Sequence, residues 1–408
     1  MSFALIGTSL LLLTRTIDIE HLVKYSSLDV ILFLAGMMIL VGLLRENGFF
    51  TWITRRLLAI KNFSSVKFVI ILSLLSALLS ATVSEAVSII FIIVMIFEVC
   101  SRFKADPVPY VIISVMATNV GSAATLLGNP IGILIASKSG LTFEDFLIKA
   151  LPLSMVCLAA TIAICLAWYR KPMRHMDESI KGGNVEPGGQ APFTRDLKIS
   201  LGIFIFTLVA ISLHHRLELL LGLAPNTVLL TMPLLSSGGV MLWKRQRARH
   251  YVERDVEWWT LLFFLLLFAQ AGTLQYTGAT DELARRLAGA AGDSWVFLTG
   301  LILWIASIFS AILDNVVLVA ALLPVVQSFK ALHIDLQPLY WALLFGGCLG
   351  GNITLVGSTA NIIALGFLEK ERQVRISFMR WFGIGLTVGV VTTCIVWFTL
   401  VFIPLYHT

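Results

Sequence analysis

Charged residues are scarce in this sequence. Asp, Glu, Lys and Arg make up 13% of its 408 residues, whereas soluble globular domains contain about 25%. Hydrophobic residues make up 58% instead. The composition therefore excludes an ordinary soluble domain and indicates an integral membrane protein.

Cysteine and histidine are also few, and neither is clustered. The five cysteines show no C-x-x-C spacing, which argues against a disulfide framework and a cysteine-rich metal site. The seven histidines fall in predicted loops or helix ends, so we expect neither a metal site in the membrane nor any cofactor. The net charge of +6 does not indicate nucleic acid, because the basic residues lie in short loops between apolar runs.

Long apolar runs recur along the whole chain. Several reach the ~20 residues that a helix needs to cross a bilayer, and they are too long and unbroken for the strands of a barrel. The sequence predicts an all-α polytopic membrane protein, surrounded by lipid, in the inner membrane of the cell or a membrane derived from it. The runs lie at 29–44, 68–97, 107–137, 151–169, 198–213, 227–243, 258–276, 295–329, 339–368 and 381–405.

The chain contains an internal repeat, which emerges when Met1 is aligned with Leu230. Without gaps, an acid, a proline, glycines and a threonine coincide in order, which chance rarely produces in an apolar chain. We predict an N-terminal repeat at 1–170, a cytoplasmic linker at 171–197 and a C-terminal repeat at 198–408. By this alignment the N-terminal repeat lacks about one helix of its counterpart. The coinciding pairs are Glu85 with Asp314, Pro109 with Pro338, Gly121 with Gly350, Thr125 with Thr354, Leu126 with Leu355, and Gly128 with Gly357.

Each repeat holds an apolar segment of 35 residues, 66–100 or 295–329. This length exceeds one membrane span but is too short for two spans and a turn. We interpret each segment as a re-entrant helical hairpin with its tip at Glu85 or Asp314. Non-helical backbone at membrane depth must be satisfied by protein or water, so two such tips predict a polar site at the centre.

The distribution of positive charge predicts that the two repeats are inverted. If the membrane spans and the two hairpins are placed as predicted, 22 of the 30 lysines and arginines lie on one side of the membrane. Because cytoplasmic loops are enriched in these residues, that side is the cytoplasmic one. The Glu85 hairpin then enters from the cytoplasm and the Asp314 hairpin from the opposite side.

The polar pair Asp314-Asn315 has two explanations. Both residues are common N-caps, so they could simply begin a helix. A charged residue at the membrane centre, however, costs about 2.5–3.5 kcal/mol and usually has a function. Glu85 at the matching position favours function, and burial favours its protonated form, which makes it a candidate proton carrier. We predict that Glu85, Asp314 and Asn315 bind the coupling ion or proton.

Each repeat also contains a helix that small and polar residues interrupt. Gly128-Asn129-Pro130 ends a helix because glycine is flexible and proline removes a donor. Close packing through small residues would explain the glycines but not the clustered amides and hydroxyls. Broken helices at matching places in inverted repeats are typical of secondary transporters. The predicted substrate- or ion-binding residues are Asn119, Thr125, Gly128, Asn129, Asn352, Thr354, Gly357, Ser358, Thr359 and Asn361.

Four segments carry a resemblance to a known group of proteins. They are SAILDNVVLVAALLP (310–324), GGNITLVGSTANIIA (350–364), DPVPYVI (106–112) and ATLLGNPIGIL (124–134). From about residue 25 onward the chain resembles the ion transporter superfamily of arsenite permeases and NhaD-type sodium/proton antiporters, and MamN-type magnetosome permeases are also similar. The resemblance implies alternating access driven by an ion gradient, with two pseudo-symmetric ion sites.

The chain departs from that superfamily in its first half. The superfamily often has Asp-Asn at the first tip and Gly-Asp-Pro-Pro-Asn at the first break. Here the tip is Glu85-Ala86, and the break is Gly128-Asn129-Pro130-Ile131-Gly132. The tip keeps an acid but loses the amide, and the break loses its acid. These losses argue against two equivalent sodium sites.

The sequence therefore predicts a secondary active transporter, not an enzyme. It would move a small inorganic ion by alternating access coupled to H⁺ or Na⁺, as in arsenite or anion efflux or in Na⁺/H⁺ antiport. An ion channel stays open as an alternative, and so does an intramembrane aspartyl hydrolase, although the chain has no G-x-G-D, H-E-x-x-H or G-x-S-x-G motif. A homodimer and an energising partner subunit are both compatible with this prediction.

Overall fold

The chain folds into helices on both sides of the predicted linker. The computed structural model describes residues 1–58, 63–182, 192–292 and 294–406, and within these ranges it contains no strand. The helices before the linker are α1 (Ser2–Leu13), α2 (Ile19–Tyr25), α3 (Leu28–Glu46), α4 (Phe49–Leu58), α5 (Ser65–Val83), α6 (Glu85–Arg102), α7 (Val108–Ser122), α8 (Pro130–Ser139), α9 (Phe143–Asp145), α10 (Leu151–Trp168) and α11 (Arg170–Gly182).

The second half has a similar succession of helices. They are α12 (Arg195–Ser212), α13 (His214–Leu221), α14 (Thr227–Trp243), α15 (Ala248–His250), α16 (Trp258–Tyr276), α17 (Ala279–Ala291), α18 (Trp295–Ser310), α19 (Asn315–Ser328), α20 (Gln337–Gly350), α21 (Thr359–Arg372) and α22 (Phe378–Phe402). Six helical segments of the described residues are long and apolar enough to cross a membrane, or seven if α12 and α13, bent by 68°, form one span. The predicted fold class, an all-α polytopic membrane protein, is confirmed.

Helix boundaries in the two halves correspond. When Met1 is aligned with Leu230, α7 and α8 begin at the same positions as α20 and α21, whereas α3 and α5 begin one position earlier than α16 and α18. The register changes in the connection after these helices, which has five residues, 103–107, before α7 but only four, 333–336, between the 3₁₀ turn Phe329–Leu332 and α20. These boundaries agree with a repeat, and the inverted orientation of the two halves stays a prediction.

The pairing of Glu85 with Asp314 is wrong by one residue. Glu85 is the first residue of α6, and Asn315 is the first residue of α19. Asp314 therefore stands where the first half has Ser84, outside the helix. The gap-free alignment missed this shift because it keeps one offset across a connection whose length differs between the halves.

The chain breaks at both predicted hairpin tips. Ser84 separates α5 from α6, and residues 311–314 separate α18 from α19. At 1.5 Å per residue, the 19 residues of α5 and the 18 of α6 measure about 28 and 27 Å. These helices are longer than half-helices of a hairpin need to be, so re-entry from one side also stays a prediction.

The predicted linker contains helical structure. Helix α11 reaches into it, and α12 begins before its predicted end, whereas residues 183–191 lie outside the described residues. Asp177 on α11 accepts hydrogen bonds from the backbone N–H of Ser65 (2.7 Å) and from its hydroxyl (2.8 Å). This carboxylate therefore fixes α11 against the first turn of α5, a contact that composition alone does not reveal.

Two glycines allow the tips to pack closely on the broken helices. Helix α5 packs on α7, and α18 packs on α20. A Cβ atom on Gly121 would lie 2.4 Å from the Cα of Ala77, and one on Gly350 would lie 2.2 Å from the carbonyl oxygen of Ser307. The two halves also interlock, because α6 packs against α21 and α8 packs against α19 and α20. All four breaks thus lie near the junction of the halves.

Candidate functional site

Hydrogen bonds join each tip to the broken helix of its own half. The backbone N–H of Glu85 donates to the carbonyl oxygen of Gly128 at 3.0 Å. The hydroxyl of Thr125 donates to the carbonyl oxygen of Ala81, and in the second half Thr354 donates likewise to Ala311. These bonds satisfy carbonyl groups that a broken helix leaves without partners. The predicted Thr125 and Thr354 therefore hold the tips in place.

Backbone strain marks the first tip. Ser84 adopts φ 131° and ψ 151°, a region in which residues other than glycine cost of order 1–3 kcal/mol. The buried Glu85 follows immediately, so the strained residue sets the position of the carboxylate. In the second half the corresponding residue, Asp314, has φ −56° and is unstrained.

Replacing Ser84 with glycine should relieve this strain. After the greater chain entropy of glycine in the unfolded state is subtracted, we expect the free energy of unfolding to rise by about 1 kcal/mol. Thermal unfolding of the purified protein in detergent measures the effect. Ser84→Ala retains the strain and is the matched control; equal stability of the two variants would contradict this explanation.

Glu85 lies in a polar cluster at the junction of the halves. Its side chain is 3% exposed and lies beside the side chains of Asn315, Ser122 and Asn129. One carboxylate oxygen of Glu85, and both polar atoms of the Asn315 amide, have no hydrogen-bond partner among the described residues. Buried polar groups are normally paired, so these atoms indicate a place for a ligand.

Amide side chains continue this cluster across the junction. The amide nitrogen of Asn119, from α7, donates to the side-chain oxygens of Asn352 (2.9 Å) and Asn361 (3.0 Å). The hydroxyl of Ser358 donates to the Asn119 oxygen at 2.9 Å. Asn361 in turn donates to the carbonyl oxygens of Gly351 and Thr354. One asparagine of the first half is thus surrounded by the break of the second.

Asp314 is well satisfied, in contrast to Glu85. Its side chain accepts from the backbone N–H of Val316 at 3.0 Å and from the hydroxyl of Thr359 at 2.9 Å. Asp314 therefore makes the contacts that are expected of an N-cap residue, which is the simpler of its two explanations. The prediction that Asp314 also binds the coupling ion is not tested by these bonds.

The predicted residues come together around the four breaks. Gly128 and Gly357 are both needed as glycine, because a Cβ atom would meet backbone oxygens at 2.2 and 2.8 Å. Sequence reasoning missed Ser122 and Cys348. Asn129 donates to the Ser122 hydroxyl (2.9 Å) and the Cys348 sulfur (3.1 Å). The signal for Cys348 was available, since the repeat aligns it with Asn119.

The cluster is chemically suited to a small cation. It offers one carboxylate, amide oxygens and hydroxyls, which are hard oxygen ligands, and none of the side chains that form it is a lysine or arginine. Among residues 1–58, 63–182, 192–292 and 294–406, no group of three His, Cys, Asp or Glu side chains could hold a metal ion.

Known proteins resemble the chain over most of its length. An uncharacterized transporter of Mycobacterium tuberculosis is 33% identical over 89% of this chain and 83% of its own length. The 46 kDa membrane protein of Mycobacterium leprae is 30% identical over the same shares. The P protein of Homo sapiens is 23% identical over 92% of this chain and 53% of its own length.

A family profile extends the comparison. The profile of CitMHS, described as citrate transporter, matches residues 2–346. This family is related to the predicted ion transporter superfamily, whereas the narrower resemblance to arsenite permeases and NhaD-type antiporters stays a prediction. From this match and the named relatives, the chain is a multi-pass membrane transporter rather than an enzyme, and it belongs to the citrate transporter family CitMHS.

Proposed function

We propose that the chain is a secondary active transporter in which Glu85 binds the coupling cation, H⁺ or Na⁺. The observation that carries this proposal is the buried Glu85 carboxylate beside Asn315, with polar atoms of both residues unpartnered among the described residues. A carboxylate at membrane depth without an ion-pair partner is a functional-site hypothesis by default. A cation at this place would be bound by the free carboxylate oxygen of Glu85 and the amide oxygen of Asn315, one from each half.

Alternating access follows from where the cluster lies. Its side chains come from both halves, with Glu85 and Asn119 on one and Asn315 and Asn352 on the other. Occupied and empty sites would then favour different positions of one half relative to the other, because a bound cation contacts oxygen atoms of both halves. A ligand shifts such an equilibrium only by its differential affinity for the two states.

The substrate is a small ion in this proposal, as the sequence predicts. A small carboxylate such as citrate is a second candidate, which the family description favours. One feature of the site supports an anion: helices α8, α19 and α21 begin at the breaks. Helix N-termini of this kind hold anionic groups in other transporters.

Proteoliposomes test the proposal. Uptake of radiolabelled citrate, arsenite and ²²Na⁺ is measured under an imposed proton or sodium gradient, and exchange is measured without a gradient. We expect one of these substrates to be accumulated and also exchanged. Passive flux without exchange would indicate a channel, and no movement of any substrate would refute transport of these ions.

Location and partners complete the proposal. We infer that the transporter lies in the inner membrane, or a membrane derived from it, with its basic loops in the cytoplasm. Its partners would be the bilayer, the substrate ion and H⁺ or Na⁺, with no nucleic acid. A homodimer and an energising subunit stay predictions.

A further inference from the structure

Two clefts open between the halves, and neither is lined by Glu85 or the amides around it. The larger, which we call the lysine cleft, has a volume of about 210 Å³, and the smaller, the arginine cleft, about 60 Å³. The lysine cleft is lined by Lys24, Tyr25, Ser27, Leu134, Lys138, Phe268, Ala271, Gly272, Gln275, Ala320, Leu323, Pro324 and Gln327. The arginine cleft is lined by Met38, Val41, Gly42, Arg45, Val87, Ile90, Phe91, Arg254, Asp255 and Glu257.

The two clefts are equivalent parts of the two halves. When Gly42 is aligned with Gly272, eight of the ten residues that line the arginine cleft have a counterpart in the lysine cleft. The same close contact supports both: a Cβ atom on Gly272 would lie 2.3 Å from Tyr25, and one on Gly42 would lie 2.5 Å from Asp255. One scaffold therefore forms both clefts, and they differ in side chains and in volume.

Charge distinguishes the clefts most clearly. Among its described lining residues, the lysine cleft carries Lys24 and Lys138 and no acidic side chain. Neither lysine forms an ion pair within the described part of the chain. The arginine cleft instead balances two arginines with two acids. A concave, low-dielectric surface with one sign of charge focuses its field and concentrates ions of the opposite sign.

Two helices connect the lysine cleft with the Glu85 cluster. Its walls are α8 and α19, whose first residues lie at the breaks. Ala320, the lining residue of α19 nearest its start, is five residues from Asn315, or about 7.5 Å along the helix. The lining of the cleft therefore reaches to about one and a half turns of α19 from Asn315.

We propose that the lysine cleft is an anion-recruiting site, in which Lys24 and Lys138 concentrate a small carboxylate or oxyanion before it reaches the central cluster. This proposal rests on the proposed function, since a recruited anion needs a transport site beyond it. It goes further by assigning charge selection to two residues outside that site. Neutral arsenite and free cations would gain nothing from these lysines.

Thiol labelling tests the cleft without requiring transport. A cysteine is placed in the cleft by Gln327→Cys, and its reaction with anionic sulfonatoethyl and cationic trimethylammonioethyl methanethiosulfonate is compared in detergent, each rate relative to that of a free thiol in solution. We expect the relative rate to favour the anionic reagent. Adding Lys24→Gln and Lys138→Gln should lower the anionic-to-cationic ratio about 10-fold.

Controls separate the cleft from the rest of the surface. The parent protein corrects for native thiols, of which Cys394 is exposed, and Lys330→Gln removes an exposed lysine that does not line the cleft. We expect Lys330→Gln to leave the ratio unchanged. An unchanged ratio in the double-lysine variant, or an equal drop with Lys330→Gln, would overturn the proposal.

Transport distinguishes this proposal from the proposed function. In proteoliposomes, Lys24→Gln with Lys138→Gln should raise the KM for citrate several-fold, leave Vmax unchanged and weaken the dependence of uptake on ionic strength. An unchanged KM would overturn recruitment while transport stands. If the wild-type protein moves none of the probes, the proposed function fails, and the labelling ratio still decides the charge preference of the cleft.

An ion pair carries a second inference, on the arginine cleft. Arg45 donates to the carboxylate of Asp255, whose side chain is 4% exposed, and burial raises the pKa of Asp255 while the guanidinium opposes the rise. Next to this pair, Tyr251 donates to Glu46 at 2.5 Å. The counterparts of Arg45 and Asp255 in the lysine cleft are Gln275 and Tyr25, which cannot form an ion pair. The geometry points to Arg45–Asp255 as a latch that closes one cleft while the other is open.

Paired reporters test the latch. With Val87→Cys as the reporter of the arginine cleft, Arg45→Gln should raise its labelling rate by up to about 5-fold, as expected for loss of a partly exposed ion pair. If the clefts open in alternation, labelling of Gln327→Cys should slow in the same variant. The exchange Arg45→Asp with Asp255→Arg should restore both rates. Unchanged labelling of Val87→Cys in folded Arg45→Gln protein would overturn the latch.

Discussion

Replacing Glu85 with glutamine is expected to lower gradient-driven uptake at least about 10-fold while leaving exchange in place. Glutamine keeps the size of the side chain but can neither release a proton nor attract a cation. Charge-assisted contacts contribute about 1.5–3 kcal/mol, which corresponds to a loss of at least about 10-fold in accumulation. The measurement compares initial rates of gradient-driven uptake with rates of exchange at equal substrate concentration in proteoliposomes.

Two further variants serve as controls for Glu85→Gln. Glu98 lies on the same helix but is exposed, so Glu98→Gln should leave both rates unchanged. Asp314→Asn should have a smaller effect than Glu85→Gln, because asparagine can still cap α19 and accept from Thr359. Normal coupled uptake by Glu85→Gln would remove this residue from the mechanism, and the reverse ranking of the two variants would transfer the role to Asp314.

Replacing Gly350 with alanine is expected to give the largest loss of stability. The added Cβ would lie 2.2 Å from the backbone oxygen of Ser307, so α20 and α18 must separate along their closest contact. Overpacking in a core costs about 1–3 kcal/mol, and occasionally more. We expect a loss of about 3 kcal/mol in the free energy of unfolding, because the clash involves backbone that cannot rotate away.

Unfolding in detergent measures this loss, and Gly202 provides the matched control. A Cβ atom on Gly202, inside α12, would meet nothing within 4 Å. Gly202→Ala should therefore be neutral or stabilising by up to ~1 kcal/mol, because alanine favours helix. The packing explanation would be wrong if both alanine variants had the same stability. Gly121→Ala should behave like Gly350→Ala, since its Cβ would lie 2.4 Å from Ala77.

The membrane helices and the four breaks could be predicted from the sequence because their signals are local. Apolar length predicts a span, and Gly128-Asn129-Pro130 cannot continue a helix whatever surrounds it. Acids and amides in an apolar run are costly unless they meet partners. The predicted polar residues accordingly lie around the breaks, where the two halves meet.

The pairing of side chains across the junction could not be predicted in this way. Glu85 corresponds to Asn315 rather than Asp314 because the connection before α7 is one residue longer than the connection before α20, and a gap-free comparison cannot place that difference. Asn129 meets Cys348 only after folding brings two helices together that are distant in the sequence. Helix α11 was missed for a similar reason, since its contact with Ser65 is long-range.

The one-residue difference between the halves has an electrical consequence for the proposed mechanism. It places an amide, not a second acid, opposite Glu85, so this position can neutralise one elementary charge per cycle. A dianion or trianion carried together with a single cation would move net negative charge across the bilayer. A potential that is negative inside would then oppose import and favour export of such an anion, by about 2.3 kcal/mol per charge for each 100 mV.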